Sequence, residues 1–223
     1  PADATTPDAH QAARAACVAD ARRVRYTSAT AIAADTGERG ERTGDEPWSR
    51  GRGGTRVGRA VHAALQSLAL DAPGGAIAAV AAAQAVAEAV PERAGEVEGL
   101  VRAGLASEAA ARARMAVGAL REVPFALARD GVVVEGFIDL VVPSLTGLEI
   151  IDWKTDDVAT RAQAVERLRG YELQAGLYAH GLRQATGLPV ERITYVFLRS
   201  GLELSPGDPD TLAAAALEGL AAG

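Results

Sequence analysis

The chain has a single lysine, Lys154, in Asp152-Trp153-Lys154; every other cation among its 23 Lys and Arg residues is an arginine. An ammonium is a compact charge with three donors and an easily shifted pKa, whereas a guanidinium is a wide, permanently charged fork. A site that must set one small cation beside a water and a phosphate oxygen calls for the ammonium. Two acids accompany it. Asp152 lies two residues before Lys154 in the apolar run GLEIIDWKT, so on a strand both side chains leave one face, about 6.6 Å apart. Asp139 lies in VVVEGFIDLVV, flanked by apolar residues on both sides, which is no place for a solvated surface acid. If Ser144 to Gly147 forms a four-residue turn, Pro143 faces Leu148, and counting back along the hairpin sets Asp139 opposite Asp152.

Opposed like charges destabilise a sheet unless a cation sits between them. Lys154 could neutralise both acids in a buried ion cluster, but such clusters are costly to desolvate and often no better than apolar packing. A hard divalent cation fits paired oxygens better. Mg²⁺ in particular takes one or two carboxylates and keeps positions for water and phosphate. Phosphodiester hydrolysis is the chemistry that follows.

Composition limits the alternatives. At 223 residues the chain can bury roughly 70% of its unfolded surface in one large domain. The lone Cys17 allows neither an intrachain disulfide nor a cysteine-ligated zinc or iron–sulfur site, and a reducing, cytoplasmic setting is expected. The Ala-rich AIAAVAAAQAVAEAV is too short and too weakly apolar to span a bilayer. A net charge of −6 argues against a generally basic nucleic-acid-coating protein and leaves local arginine clusters as the relevant feature. The opening PADATTPDAH has no initiator Met, which suggests an excised segment or a processed product.

These acids and the lysine need elements to hold them. A helix is expected around AARAACVADARRV, followed by YTSATAIAA, where Thr27 or Ser28 could cap a short helix. Residues 35–54 read as a charged, Gly-rich loop, and residues 1–54 as an N-terminal segment ahead of a domain at 55–223. From Thr55 a helix carries Val57, Val61, Leu65 and Leu68 as a core stripe. Ala-rich helices at 76–90 and 92–118, broken at Pro91, read as a helical insertion over about 72–118. REVPFALARD, GVVVEGFIDLVVPS and GLEIIDWKT are three strands paired antiparallel. One long helix over about 160–185 carries Leu168, Tyr171, Ala175, Tyr178 and Leu182 on one face; RITYVFLRS is a fourth strand and DTLAAAALEGLAAG a closing helix.

GRAVH adds a further candidate: Gly58 and His62 share a helix face, and the glycine lets that helix approach the sheet closely. His10 and His180 have no such company. The ordered set Gly58 to His62, Gly136-Phe137-Ile138-Asp139, Asp152-Trp153-Lys154 and Gln174 to Tyr178 resembles the RecB-like branch of the PD-(D/E)XK nuclease superfamily, especially the nuclease domain of UvrD-type helicase–nucleases of the AddA and RecB kind. The likeness runs from about residue 27 to residue 199. Each motif is short, and their order and their placement on helix, strand, strand and helix make the set specific.

The resemblance implies an α/β fold with a restriction-endonuclease-like core of helix, three antiparallel-type strands, helix and strand. It also implies that His62, Asp139, Asp152 and the Trp153 backbone carbonyl bind Mg²⁺ or Mn²⁺, with Lys154 positioning the attacking water and stabilising charge on the phosphate. Glu122 resembles an accessory acid near the metal and reads equally well as a strand-edge charge. Gln174 and Tyr178, four apart on one helix, are implied to border the active centre. Relatives with four cysteines hold an iron–sulfur cluster, which this chain cannot. Arg50, Arg52, Arg56 and Arg59, interleaved with glycines, could contact DNA phosphates without reading sequence, or form a solvated loop. Trp48 could stack on a base. The activity implied is a metal-dependent deoxyribonuclease, an exonuclease acting on DNA ends or single strands beside a UvrD-type helicase, in end processing and double-strand-break repair. The alternatives are a non-catalytic nuclease-fold module and an unrelated small-phosphoester hydrolase, the latter disfavoured by the lack of a phosphate-cradling Gly loop.

Overall fold

The structure, a computed structural model, describes Gln11, Arg14 and residues 25–28, 55–129 and 131–221. The expected N-terminal helix, apart from Gln11 and Arg14, and the loop at 35–54 lie outside the described residues. So do His10, Cys17, Trp48, Arg50 and Arg52.

The strand that carries Asp152 and Lys154, β4 (Leu148–Lys154), is buried at every position. A strand covered on both faces reads as an apolar run rather than an alternation, which is why its two charged chemistry residues stand out. It pairs antiparallel with β3 (Val132–Pro143) in the register counted from the sequence: Pro143 faces Leu148 and Leu140 faces Ile151. Ser144 N–H donates to the Gly147 carbonyl at 2.8 Å to close the turn. On its other side β4 runs parallel to β5 (Val190–Phe197), which pairs antiparallel with the short β6 (Leu202–Leu204). β2 (Leu120–Arg129) lies antiparallel along one edge of β3, while β1 (Arg25–Ser28) lies parallel along the start of its other edge. The six strands form one mixed sheet.

Helices cover both faces. On one side α1 (Arg56–Ser67), α2 (Gly74–Ala87), α3 (Ala94–Ala106) and α4 (Glu108–Met115) share a core with Leu140, Val142, Ile151, Trp153 and Val196 of the sheet. Thr55 caps α1 by accepting the Gly58 N–H, and the stripe Val57, Val61, Leu65 and Leu68 is buried as its spacing predicts. On the other side α5 (Arg161–Arg169), α6 (Glu172–Thr186) and α7 (Pro209–Ala221) bury Phe125, Ile138, Ile150 and Phe197. A methyl group at Gly176 would fall 2.2 Å from the Leu212 carbonyl, so only glycine lets α6 and α7 pack this closely.

Four sequence expectations change. Residues 25–28 form a strand that the sequence does not suggest, paired parallel with Val132–Glu135; the short helix that Thr27 or Ser28 could cap lies outside the described residues. The expected helix at 92–118 is a 3₁₀ turn at Pro91–Arg93, α3 and α4, the last two separated where Ser107 accepts the Ala110 N–H as a cap. The expected single helix at 160–185 breaks at Gly170, giving α5 and α6, although Leu168, Ala175, Tyr178 and Leu182 still share the buried face across the break. β6 is an addition to the expected strands; three residues give too short a pattern to read.

Candidate active site

Gly58 positions the first functional side chain. A Cβ there would lie 3.0 Å from Thr155 Oγ1, so glycine lets α1 press against the chain just past Lys154. That approach carries His62 to the sheet, where its Nδ1 lies 3.0 Å from Asp139 Oδ1. Asp139 Oδ2 accepts the backbone N–H of Trp153 at 2.7 Å. The regular pairing of β3 and β4 ends one step earlier, at Leu140 and Ile151, and the carboxylate takes over the role of the next carbonyl.

Sheet alternation changes phase at this point. Ile138 and Leu140, two residues apart, pack in opposite cores. On β2 the ladder pairs Arg121 with Leu140 and Val123 with Ile138, which sets Glu122 across from Asp139. Glu122 has φ +46°, a left-handed backbone that a residue with a side chain adopts only at a cost. Its neighbour Arg121 reaches α1 and donates to the Leu65 and Leu68 carbonyls at the end of that helix. His62, Glu122 and Asp139 can each present one ligand atom within 4.8 Å of the others. Together with Arg121, Leu140 and Trp153 they line a small crevice.

The cationic half lies on the other face. Lys154 Nζ is 2.6 Å from Asp152 Oδ1 and donates to Gln174 Oε1 at 3.0 Å. Gln174 Nε2 donates to the Tyr178 hydroxyl at 3.1 Å, which donates to the Phe137 carbonyl at 2.9 Å. The glutamine and tyrosine therefore link the lysine strand to the strand that carries Asp139. Lys154 and Asp152 thus form a close buried ion pair in which the ammonium is the partner of Asp152 Oδ1. With His62 neutral, one ammonium stands against the two carboxylates of Asp139 and Asp152, and a hard cation would balance them.

The charges act on one another strongly. Burial pushes the Asp152 carboxyl up to about 6, with Lys154 opposing and Asp139 adding to the rise. Burial works against the Lys154 charge too, but Asp152 outweighs it and holds the ammonium above its ordinary value. For Asp139, burial is overcome by His62 and by the Trp153 N–H, and its carboxyl stays below the usual range. His62 is held above its ordinary value because Asp139, with help from Asp152, outweighs burial.

The structure thus brings His62, Glu122, Asp139, Asp152, Trp153, Lys154, Gln174 and Tyr178 to one region of the sheet. It does not gather the arginines equally. Arg56 is exposed at the start of α1, while Arg59 is tied to Glu88 at 2.7 Å. Sequence reasoning missed Tyr195 and Asp156 altogether and read Tyr171 only as a core residue. The Lys154 Nζ lies 4.1 Å from the Tyr171 ring centre and 5.1 Å from that of Tyr195. Tyr195 hides in the apolar run of β5, and only the parallel register of β5, which sets Tyr195 beside Asp152, gives it away.

The PD-(D/E)XK nuclease superfamily matches residues 37–219. The chain belongs to this superfamily. The mixed sheet between helical layers is accordingly a restriction-endonuclease-like fold. PD-(D/E)XK nucleases generally use divalent metals, and the Glu122 and Asp139 carboxylates with the His62 imidazole, whose ligand atoms lie within 4.8 Å of one another, suit one. An ATP-dependent helicase/nuclease protein of Anoxybacillus flavithermus (strain DSM 21510 / WK1) is 38% identical over 95 residues, which are 40% of this chain and 8% of that protein. The chain therefore spans only a small part of that relative's length. The crystal structure of SSO0001 aligns with 60% of this chain and 64% of its own at 16% identity, with a TM-score of 0.35. Among the described residues no helix is long and apolar enough to cross a membrane.

Proposed function

We propose that this chain is a metal-dependent deoxyribonuclease domain, residues 55–223 with a helical insertion at about 72–118, that hydrolyses phosphodiester bonds as an exonuclease. The observation that carries the reading is the buried pair of Asp152 with the chain's only lysine, set close to the His62, Glu122 and Asp139 cluster. His62, Asp139, Asp152 and the Trp153 carbonyl would hold Mg²⁺ or Mn²⁺, with Glu122 as an accessory acid. When bound, the cation would polarise the phosphate and favour ionisation of a nearby water.

The chain's own residues supply the rest. Lys154 is a fixed point charge for the phosphate as negative charge grows on it, and it also orients the attacking water. Gln174 holds the ammonium from behind, and Tyr178 fixes Gln174 against the Phe137 carbonyl. Arg50, Arg52, Arg56 and Arg59 would hold the DNA backbone without reading sequence. The similarity to a helicase/nuclease protein supports a UvrD-type helicase as neighbour, DNA ends or single strands as substrate, and cytoplasmic end processing and break repair as the setting.

A non-catalytic DNA-binding or helicase-supporting module is the second reading. The complete His-Asp-Asp-Lys set disfavours it. Cleavage of end-labelled single- and double-stranded DNA with Mg²⁺, Mn²⁺ or EDTA, with Asp152→Ala as control, separates the two. We expect metal-dependent cutting that Asp152→Ala abolishes. DNA binding without cutting under every condition would leave the non-catalytic module.

A further inference from the structure

Lys154 is buried, yet its two polar partners, Asp152 and Gln174, do not surround it. The remaining side of the ammonium faces aromatic rings. Tyr171 and Tyr195 lie nearly parallel, with ring centres 5.4 Å apart and planes inclined by 22°, and Nζ sits 4.1 Å from one centre and 5.1 Å from the other. An ammonium this close to an aromatic face is attracted by the ring quadrupole, most strongly where water is excluded.

The rings are themselves anchored. The Tyr171 hydroxyl donates to both oxygens of Asp156, at 2.9 and 2.8 Å, and Asp156 also accepts from Arg167 at 2.5 Å. Asp156 is two residues past Lys154, so the chain that supplies the ammonium also fixes the ring that holds it. The Tyr195 hydroxyl donates to the Tyr171 carbonyl at 3.2 Å and ties the second ring to the first. The break between α5 and α6 gains a purpose here. Tyr171 occupies the junction and is the residue from which α6 starts, where it can face Lys154 on one side and Asp156 on the other.

We infer that Tyr171 and Tyr195 are positioning residues, an aromatic clamp that fixes the direction of the Lys154 ammonium for phosphoryl-group chemistry. The inference rests on the nuclease reading for its consequence, but the clamp itself has a direct readout. Because the chain holds one lysine, a ¹³Cε-lysine label gives a single NMR signal, and that signal is Lys154. Ring currents from the two tyrosines should move its ε protons upfield of free lysine.

The test compares Tyr171→Leu with Tyr171→Phe, each checked for folding by circular dichroism. Leucine removes the ring, so the Lys154 signal should move back toward free lysine and kcat should fall about 10- to 100-fold, the scale expected when a catalytic group is misplaced by a fraction of an ångström or more. KM for DNA and Mn²⁺ affinity should stay within about twofold, since neither depends on the direction of the ammonium. Phenylalanine keeps the ring and should restore most of both the shift and kcat. A folded Tyr171→Leu protein whose Lys154 signal is unmoved, or whose kcat matches the parent, would overturn the clamp. A parent protein that never cuts DNA but shows the shifted lysine signal, lost in Tyr171→Leu, would instead overturn the nuclease reading while keeping the clamp.

Discussion

The two halves of the site are built on opposite plans. Around Asp139 the groups are acceptors or potential ligands, His62 is a third exposed, and Glu122 bends its strand toward a crevice. Around Lys154 almost nothing reaches solvent: Asp152, Lys154 and Gln174 are all buried, and two tyrosine rings close the remaining side. The difference teaches which half is meant to exchange its partners. The cluster of His62, Glu122 and Asp139 gives a cation a way in and out, with Asp152 at the boundary of the two halves, whereas the cage keeps the ammonium in one place. Electrostatic stabilisation of a transition state needs that fixity, because a group already oriented has no reorganisation to undergo as the reaction proceeds.

The sharpest way to break the comparison is to widen the closed half without changing its charge. Lys154→Arg should lower kcat by about 100-fold or more, since a planar fork cannot fill the space between two rings, Asp152 and Gln174. Mn²⁺ binding measured by calorimetry should stay close to that of the parent. Normal turnover would mean the cage does not select an ammonium.

A smaller effect joins the two halves through pH. Burial raises Asp152 to about 6, above the ordinary carboxylate range, so below that pH the group carries a proton that a cation must displace. His62 is raised as well and must also lose its proton to become a ligand. Both work in one direction. Mn²⁺ affinity should climb as pH rises through about 6 and keep climbing until His62, which titrates above its ordinary value, is neutral too; Asp152→Asn should remove the part of the slope due to that carboxyl. A pH-independent isotherm between pH 5 and pH 8 would show that neither group is a ligand.

The smallest expected change lies at the rim of the open half. Glu122→Gln keeps the shape of the side chain but removes its charge, and should weaken Mn²⁺ binding by about tenfold or less, with cleavage rate at saturating metal nearly unchanged. A loss as large as that of Asp152→Ala would promote Glu122 from accessory acid to principal ligand.

Much of this arrangement is legible in the chain. The hairpin register from Pro143 and Leu148 to Leu140 and Ile151 follows from one turn and a count, because the turn is short; the ladder stops one step before Asp139 and Asp152. The core stripe of α1 and the role of Gly58 follow from helical spacing. Long helices are less legible. Gly170 and Ser107 are a poor helix former and a cap residue that mark the breaks locally, but the apolar spacing runs on through both and masks them. The phase change at Glu122 and Asp139 is equally invisible, since a positive φ on a glutamate carries no sequence signature.

The sequence alone determined the chemical inventory: two acids and one lysine on neighbouring strands, a histidine four residues from a glycine, and a glutamine and tyrosine one helical turn apart. It could do so because strand and helix periods are local properties. Tertiary structure decided which of these groups face an open crevice and which are sealed. That choice depends on β5 lying parallel to β4 and on α6 starting at Tyr171, contacts between residues far apart in the chain. No local period encodes them, and they are what closes the cage around Lys154.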